Sequence, residues 1–312
     1  MPKTIRLAIL SLGLVLLSAC TQKGDSASGP IDISRFKPLH PFEGRIVFNS
    51  NLDGDNDIYL LTGDGLTRLT DNSWNDEYPV WSPDGSLIAF SANPGGNHDI
   101  FIMNADGSNL RAVVSTPADD TTPAWFPDGK SLAFASGRKR LLRKEFALFR
   151  VDLESGRTES LIPGFNKTNF IPWVSPATGS IVFTGKRTVG WDVAVFEPKT
   201  GRTEFLHDGG GSCRARYSAD GRWLAYVSTK NNPKSDIWIM KPDGSDKTPL
   251  TSSPDVYDYY PAWSPDGRFV VFDSSPQHDQ NGDWALHIVD TRNGEDRLLF
   301  DSPGNDVFPD WK

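Results

Sequence analysis

Short apolar runs alternate with turn-forming clusters along most of this chain, and the same pattern recurs several times. One copy, at residues 79–90, reads Pro-Val-Trp-Ser-Pro-Asp-Gly-Ser-Leu-Ile-Ala-Phe, and close copies stand at residues 123–134 and 261–272. Two weaker copies lie between them, at residues 172–179 and 215–221. Repetition at a nearly constant period is typical of proteins built from one repeated supersecondary unit.

Each copy predicts a pair of β-hairpins. Ser-Pro-Asp-Gly is a turn sequence, because Pro sets φ at the second turn position and Gly accepts a left-handed conformation at the last. The apolar, β-prone runs on both sides predict two strands. A second hairpin follows, with a strand that starts at Asp99 and a turn at Asp106 and Gly107. Four antiparallel strands, labelled a to d in sequence order, make one blade of a β-propeller.

Counting these units predicts a closed ring. Complete units begin near five positions: residues 77, 121, 168, 212 and 259. Residues 44–70 match strands b, c and d of a sixth unit, and the segment Phe308-Pro309-Asp310-Trp311 matches the start of its strand a. We therefore predict an all-β fold, a six-bladed propeller of four-stranded antiparallel blades over residues 44–312. The C-terminal strand closes the ring by pairing with the N-terminal partial blade, which removes exposed sheet edges.

The Trp-Ser-Pro-Asp-Gly and Asp-Ile-Tyr segments resemble the propeller repeats of TolB proteins, the periplasmic components of Tol–Pal systems. The resemblance covers residues 44–312 and implies the propeller fold and a protein or peptide partner. It departs at the N-terminus, where TolB has an α/β domain and this chain has a short polar segment. Other secreted propellers and peptidase propeller domains share these repeats, so the resemblance defines the fold more sharply than the function.

The N-terminus predicts secretion and lipid attachment. Lys3 and Arg6 precede an apolar stretch over residues 7–17 that is too short to span a bilayer, as in a signal peptide. The stretch ends at Leu17-Ser18-Ala19-Cys20, which resembles a bacterial lipobox, although an ordinary signal peptide with an incidental Cys is the alternative. We expect a signal peptide at residues 1–19, a lipidated Cys20 with a flexible tether at residues 20–43, and residence in the periplasm at the outer membrane. The choice between inner and outer membrane rests on family analogy.

Charge and cysteine content narrow the partners. The formal net charge is −8, which argues against nucleic-acid binding because basic patches supply most of that affinity. The only other cysteine is Cys213, so a lipidated Cys20 leaves the protein without an internal disulfide. We expect a monomer whose partner is a protein or peptide of the cell envelope.

Enzyme signatures are scarce. The sequence has no Gly-x-Ser-x-Gly elbow, no His-Glu-x-x-His pair and no phosphate-binding loop. His98, His207 and His278 fall in loops that we place on one face, where they could hold a metal as in sugar-cleaving propellers or be solvated loop residues. The segment Asp53-Gly54-Asp55-Asn56-Asp57 resembles the start of a calcium loop, but we predict a structural turn because it joins two strands and Asp57 has counterparts in other repeats.

A recurrent acidic position marks the predicted binding site. The residue three places before the repeat Pro starts strand a, so its six copies should circle one mouth of the channel. These positions hold Asp76, Asp120, Asn169, Asp258 and Asp306, with Gly211 in the weakest copy. Nearby charge and aromatic surface come from Glu77, Asp119, Tyr78, Tyr259, Tyr260 and Phe308. Such a mouth suits a cationic peptide segment, with a calcium or other divalent ion as a possible bound cofactor. The alternative is that each Asp caps its own loop.

A basic loop interrupts the acidic background. It consists of Arg138, Lys139, Arg140, Arg143 and Lys144 in the b–c hairpin of the second complete blade. We predict a contact loop for an anionic partner or lipid headgroups, with a solvated loop as the alternative.

Three functions follow as hypotheses. The first is a lipid-anchored, non-catalytic binding scaffold that recognises its partner at the acidic mouth. The second is a metal-dependent enzyme acting on glycans. The third is a structural subunit of an envelope complex that uses its outer blade edges.

Overall fold

The computed structural model describes residues 31–138, 145–162, 168–278 and 282–312, and Asp32–Lys312 forms one compact unit. Within these residues the protein folds into six four-stranded antiparallel sheets arranged as the blades of a propeller. The predicted fold class is confirmed. Each sheet runs from an innermost strand a to an outermost strand d, in the order that the repeat predicts.

The strands follow the sequence blade by blade. Blade 1 contains β24 (Val307–Trp311), β1 (Ile46–Ser50), β2 (Asp57–Thr62) and β3 (Gly65–Arg68). Blade 2 contains β4 (Asp76–Trp81), β5 (Leu87–Ala92), β6 (Asp99–Asn104) and β7 (Arg111–Val114). Blade 3 contains β8 (Asp120–Trp125), β9 (Ser131–Ser136), β10 (Ala147–Asp152) and β11 (Thr158–Ser160). Blade 4 contains β12 (Asn169–Val174), β13 (Ile181–Lys186), β14 (Trp191–Glu197) and β15 (Arg202–Phe205). Blade 5 contains β16 (Ser212–Tyr217), β17 (Leu224–Ser228), β18 (Asp236–Met240) and β19 (Thr248–Pro249). Blade 6 contains β20 (Tyr257–Trp263), β21 (Phe269–Ser275), β22 (Ala285–Asp290) and β23 (Asp296–Phe300).

The Ser-Pro-Asp-Gly turns join strand a to strand b for the reason the sequence predicts. Gly85 has φ 70° and donates its N–H to the Ser82 carbonyl at 2.9 Å. The Asp84 carboxylate accepts from the Ser82 hydroxyl at 2.6 Å and from the Ser86 N–H at 3.0 Å. These bonds all lie within the turn, so the turn is specified without contacts to another blade.

Ring closure also matches the prediction. β24 pairs antiparallel with β1, with Ile46 opposite Trp311 and Val47 opposite Asp310. The pairing continues past the strand ends, since the backbones of Arg45 and Lys312 exchange hydrogen bonds of 2.6 and 2.8 Å. The N-terminal and C-terminal segments of the propeller therefore build blade 1 together.

Blades pack through one aromatic layer. Strand b of every blade carries a fully buried aromatic ring at the same register position. These rings are Phe48, Phe90, Phe134, Phe183, Tyr226 and Phe272. In blades 1, 2, 3 and 5 the opposite residue on strand c is also aromatic, and Phe90 and Phe101 stack at 5.9 Å. Burial of such rings, together with the aliphatic residues around them, stabilises the packing of neighbouring blades.

Every strand a contains a bulge that the sequence analysis missed. The register to strand b shifts in all six blades, and one residue at the shift in each strand a is left-handed although it is never Gly. These residues are Tyr78, Thr122, Ile171, Arg214, Tyr260 and Phe308, with φ between 47° and 58°. Four of their N–H groups bond to a side chain on strand b of the preceding blade, as Arg214 does to Thr184 Oγ1 at 2.9 Å. These inter-blade bonds offset the strain of a left-handed, non-Gly residue.

The segment before blade 1 corrects the predicted domain boundary. Ile33–Arg35 forms a 3-10 helix, the Leu39 N–H bonds to the Leu299 carbonyl at 2.8 Å, and Phe42 meets Trp311 edge-to-face at 5.7 Å. Residues 32–43 therefore belong to the folded unit and are not part of a tether, because their apolar side chains and backbone groups find partners on blades 1 and 6. The predicted signal peptide and Cys20 lie outside the described residues and stay predictions.

Candidate functional site

The predicted acidic ring lies where the chain enters the six strands a, within one residue of each strand start, at the channel end that we name the upper mouth. All five predicted side chains of the ring are buried: Asp76, Asp120, Asn169, Asp258 and Asp306 are at most 1% exposed. The sixth equivalent is Ser212 and not Gly211, because Ser212 pairs with Ser228 as Asp76 pairs with Ala92. Burial of this degree leaves these side chains no surface with which to contact a partner.

The contacts of these carboxylates are those of loop caps. Asp76 accepts from Asn72 at 2.7 Å, Asp120 accepts from Thr116 at 2.7 Å, and Asp306 accepts from the Ser302 hydroxyl and N–H at 2.8 Å each. Asp258 is held by Thr251 and Ser274, both at 2.7 Å. Burial raises the pKa of Asp76 and Asp258 to about 6 and that of Asp306 to about 7. The loop-capping alternative therefore describes the ring better than direct partner binding.

An open cavity of about 450 Å³ occupies the upper mouth. Four of the residues predicted at this mouth line it, namely Glu77, Tyr259, Tyr260 and Phe308. The remaining wall is mostly amide and aromatic, and it includes Asn49, Asn51, Asn56, Asn75, Asn305, Trp284, His278, Arg214 and Asp273. The predicted acidic mouth is therefore a mixed polar and aromatic one.

Hydrogen bonds hold the asparagines of this wall in place. The Asn75 side-chain oxygen accepts from the Asn56 N–H at 3.3 Å, and the Asn51 oxygen accepts from the Asn305 N–H at 2.7 Å. The Asn56 amide donates to Glu77 at 3.0 Å. Because backbone donors engage the oxygens of Asn51 and Asn75, their amide N–H groups are left as the donors that can serve a ligand.

Aromatic rings close the channel below the cavity. Phe308 stacks on Tyr78 with centroids 4.1 Å apart and meets Tyr260 edge-to-face at 4.2 Å. Tyr78, predicted to contact the partner, is part of this plug and does not line the cavity. All three rings come from the left-handed bulge positions, so the bulge is what directs large side chains to the channel axis.

Two charged residues of the cavity were absent from the sequence prediction. The Arg214 guanidinium lies 4.5 Å from the Tyr259 ring and 4.6 Å from the Tyr260 ring. Asp273 is 1% exposed, and burial raises its pKa to about 7. Arg214 is the one charged residue among the six bulge positions, a difference that aligning the repeats would have shown.

The three histidines lie at the same end of the propeller but have separate surroundings. His98 lies 3.6 Å from Glu77 and 3.7 Å from Asp119, and Glu77 raises its pKa. His278 packs against Tyr257 and Tyr259, whereas His207 faces Asp192 at 3.2 Å. In the described part of the protein, neither His98 nor His278 belongs to a group of three metal-ligand side chains.

The segment resembling a calcium loop already contains a cation. Asp53, Asp55 and Asp57 converge, and Arg68 lies 2.5 Å from both Asp53 and Asp57. The guanidinium neutralises the carboxylates that a calcium ion would need, which is consistent with the predicted structural turn.

The predicted basic contact loop is described only in part. Arg138 bonds to Asp120 at 3.0 Å and lies 4.6 Å from the Phe149 ring, so its charge is engaged inside blade 3. Lys139, Arg140, Arg143 and Lys144 lie outside the described residues.

Fold and cavity together define a six-bladed β-propeller protein with a polar, aromatic pocket at one channel mouth. Residues 34–188 match the family described as the TolB beta propeller domain. The chain is a TolB-like β-propeller protein.

Relatives and solved structures agree with this family. The chain is 30% identical over 146 residues to an uncharacterised protein of Agrobacterium fabrum, covering 44% of this chain and 49% of that protein. It is 40% identical over 87 residues to the Tol-Pal system protein TolB of Nitratidesulfovibrio vulgaris, covering 27% of this chain and 18% of TolB. The crystal structure of TolB from Acinetobacter baumannii superposes with a TM-score of 0.73 at 20% identity, over 87% of this chain and 67% of the other. The chain thus spans about half or less of the relatives matched by sequence.

Enzymes share the fold as well. An oligogalacturonate lyase in complex with manganese superposes with a TM-score of 0.57 at 19% identity, over 81% of this chain and 73% of the lyase. At this identity the likeness shows the fold alone. Among the described residues, no helix is both long and apolar enough to cross a membrane.

Proposed function

We propose that this protein is a lipid-anchored, non-catalytic binding scaffold of the periplasm that takes an extended segment of a partner protein into the upper mouth. The observation that supports it is the open cavity of about 450 Å³, walled by asparagine amides and floored by aromatic rings. A cavity of this volume accommodates a short peptide segment or a ligand of similar size.

The wall suits a peptide backbone. Asparagine side chains carry the same donor and acceptor groups as a peptide bond, so they can pair with an extended segment of almost any sequence. Tyr259, Trp284 and Phe308 add flat apolar surface on which side chains of a partner can pack. Rigid rings and pre-oriented amides lower the entropic cost of binding, because few rotamers have to be frozen.

The cell-envelope setting rests on the N-terminus and on the relatives. The lipobox-like segment before Cys20 supports a lipid anchor, and the match to a Tol-Pal system protein supports a periplasmic partner. We place the protein at the outer membrane, with its partner among the proteins of the envelope.

An enzyme acting on glycans is the less favoured function. Of the two acidic clusters among the described residues that could hold a metal, one contains Arg68 and the other contains Arg187, which lies 2.5 Å from Asp192. A guanidinium at each cluster competes with a cation.

Site-specific crosslinking tests the proposed function. His278 lines the cavity and is exposed, so a photoreactive phenylalanine analogue at this position keeps an aromatic ring against Tyr259. Irradiation of cells that carry this variant should give one discrete adduct, and mass spectrometry should identify the crosslinked partner as a cell-envelope protein.

A matched control uses the opposite face. Arg222 is 79% exposed in the turn between strands a and b of blade 5, far along the blade from the upper mouth. The same analogue at position 222 should give no such adduct. Equal capture from both positions, or no adduct from position 278, would contradict the proposal.

A further inference from the structure

The Arg214 guanidinium has no close ion pair among the described residues, although it is near enough to Asp273 to offset part of the rise that burial causes in the pKa of that carboxyl. It projects from the bulge of strand β16 into the cavity wall, and no carboxylate of the described residues lies within 4.0 Å of it. It donates to the Cys213 sulfur at 2.8 Å and also bonds to the Tyr260 side chain, and neither acceptor is a carboxylate. Its Nε–H is buried and has no acceptor.

An unpaired guanidinium in this setting is costly. Removing a charged donor from water without supplying a close anionic acceptor raises the free energy of the folded state, so such groups are normally paired. The neighbouring arginine shows the usual solution, because Arg216 bonds to Asp310 at 3.1 Å and to the Pro309 carbonyl at 2.9 Å. Arg214 lacks this solution, and its donors border an open cavity.

The aromatic surroundings argue against a cationic ligand at this point. Tyr259 and Tyr260 are the rings that would attract a lysine or arginine of a partner, but Arg214 already lies against both at 4.5 and 4.6 Å. A second cation would meet the guanidinium charge instead of a ring face. The predicted cationic peptide therefore does not fit this wall.

Asp273 supplies a second open group in the same cavity. Its Oδ2 accepts from the Phe308 N–H at 3.3 Å, whereas its Oδ1 is buried without a partner. Asp273 raises the cost of placing a doubly charged anion such as phosphate in the cavity, and Asp55 and Glu77 on the same wall add to that cost. A single carboxylate meets the fork of Arg214 with the least repulsion.

We propose that the upper mouth recognises a carboxylate of the partner segment and that Arg214 is the residue that binds it. This inference rests on the proposed function, since it names the chemistry of the segment that enters the cavity. The carboxylate can come from an Asp or Glu side chain or from the C-terminus of the partner. Arg214 donates to it through the guanidinium. The side-chain amides of Asn51 and Asn75 are further hydrogen-bond donors in the same cavity.

Four peptide pools test the proposal by direct binding to the mature protein. All are eight-residue pools with randomised flanks: Glu at the centre with an amidated C-terminus, Gln at the centre with an amidated C-terminus, Lys at the centre with an amidated C-terminus, and Gly at the centre with a free C-terminus. We expect the Glu pool or the free-carboxylate pool to bind at least about tenfold more tightly than the Gln pool. The stronger of the two identifies the source of the carboxylate.

Three variants assign the effect to Arg214. Arg214→Gln should abolish the preference of the stronger carboxylate pool over the Gln pool, and Arg214→Lys should keep part of it, because the charge remains but the fork is lost. Arg187→Gln removes a guanidinium from a different cavity and should leave the preference unchanged. If Arg214→Gln does not fold, the comparison of pools on the wild-type protein and on Arg214→Lys still decides the matter.

The outcomes separate this inference from the proposed function. Equal binding of the Glu, Gln and free-carboxylate pools, tightest binding of the Lys pool, or a carboxylate preference that survives in Arg214→Gln would overturn the role of Arg214 and leave peptide binding intact. Absence of binding by every pool would overturn both.

Discussion

Buried carboxylates at the blade connections show how single residues hold this propeller together. Asp76, Asp120, Asp258 and Asp306 each accept hydrogen bonds from hydroxyl, amide or backbone N–H donors a few residues before them. Each side chain therefore closes the connection that leads from one blade into strand a of the next. Burying a carboxylate in this way removes its charge from water and so costs free energy of folding. The raised pKa of Asp306 has the same cause.

The pH dependence of unfolding should report this desolvation. Burial raises the pKa of Asp306 to about 7, whereas an unfolded Asp titrates near pH 4. Between these values the folded protein binds more protons than the unfolded protein, so this carboxyl lowers the free energy of unfolding as the pH rises. From pH 5 to pH 8, urea unfolding should show a decrease about 2 kcal/mol larger for the wild type than for Asp306→Asn.

An exposed carboxylate with similar contacts is the control for this experiment. Asp106 accepts from the Ser108 N–H and hydroxyl at 3.0 and 2.6 Å, as Asp306 accepts from Ser302, but the Ser108 hydroxyl lowers its pKa. Because Asp106 stays ionised from pH 5 to pH 8, Asp106→Asn should keep the wild-type slope. Identical slopes for wild type and Asp306→Asn would show that Asp306 does not titrate in this range.

At the scale of elements, one strand decides whether the ring closes. β24 forms the antiparallel backbone hydrogen bonds with β1. Its residue Asp310 also accepts from the Trp81 N–H at 2.7 Å and from Arg216 at 3.1 Å. The five residues of β24 thus link blades 1, 2 and 5 at the channel. Among the described strands, no other one joins a blade whose remaining strands lie at the opposite end of the sequence.

Deleting residues 307–312 should open the ring and expose the edge of β1. We expect the melting temperature to fall well below that of the wild type, with aggregation, because an unpaired central edge can pair with another molecule. Thermal unfolding with light scattering measures both effects. A melting temperature equal to that of the wild type would contradict the six-bladed closure.

A single-residue variant provides a reference for the loss of stability expected from that deletion. Trp125 ends strand a of blade 3 as Trp311 ends that of blade 1, both are 7% exposed, and both indoles donate to a backbone carbonyl. Trp125→Ala removes one such ring without opening the propeller and should cost about 3–5 kcal/mol. The deletion should destabilise the protein more than Trp125→Ala does.

For the whole molecule, the proposed lipid anchor would decide where the cavity can meet a partner. A lipid on Cys20 would confine the propeller to a membrane surface, and the folded unit begins at Asp32, so the linking segment is shorter than the sequence analysis predicted. A shorter link restricts the distance over which the upper mouth can search for a partner.

Replacing Cys20 should release the protein from the membrane. We expect the wild type to sediment with membranes and its mature N-terminus to carry acyl mass on Cys20, whereas Cys20→Ser should be found in the soluble periplasmic fraction. Fractionation and mass spectrometry measure these outcomes. Cys213→Ser is the matched control, since Cys213 lies half-buried on strand β16 and should not affect membrane attachment. An unmodified N-terminus at another residue would contradict the anchor.

The fold was largely predictable because its signals are local. Pro-x-Trp and Ser-Pro-Asp-Gly set turns and strand ends through bonds within a few residues, as at Asp84. One repeat of the sequence therefore contains most of the signals that specify one blade. The half-units at the two ends likewise predict the pairing of β24 with β1, because only complementary strands complete a blade.

The site was predictable only in outline. The equal spacing of Asp76 and its counterparts correctly places them at the starts of the strands a, but spacing does not report depth, and the structure buries them. The aromatic residues of the cavity, such as Tyr259 and Phe308, were found because they flank the repeat Pro. Arg214 was not predicted as a site residue, because the copy of the repeat that contains it lacks that Pro.

The sequence by itself determined the number of blades, their strand order and the closure of the ring, since turn chemistry and strand periodicity act over short distances. The tertiary structure alone decided which side chains face the channel. A left-handed bulge reorients one residue of each strand a, and in four blades its N–H bonds to strand b of the preceding blade, as the Arg214 N–H does to Thr184. The cavity is thus built from residues that different blades contribute unequally, and their convergence follows from packing and not from any repeated motif.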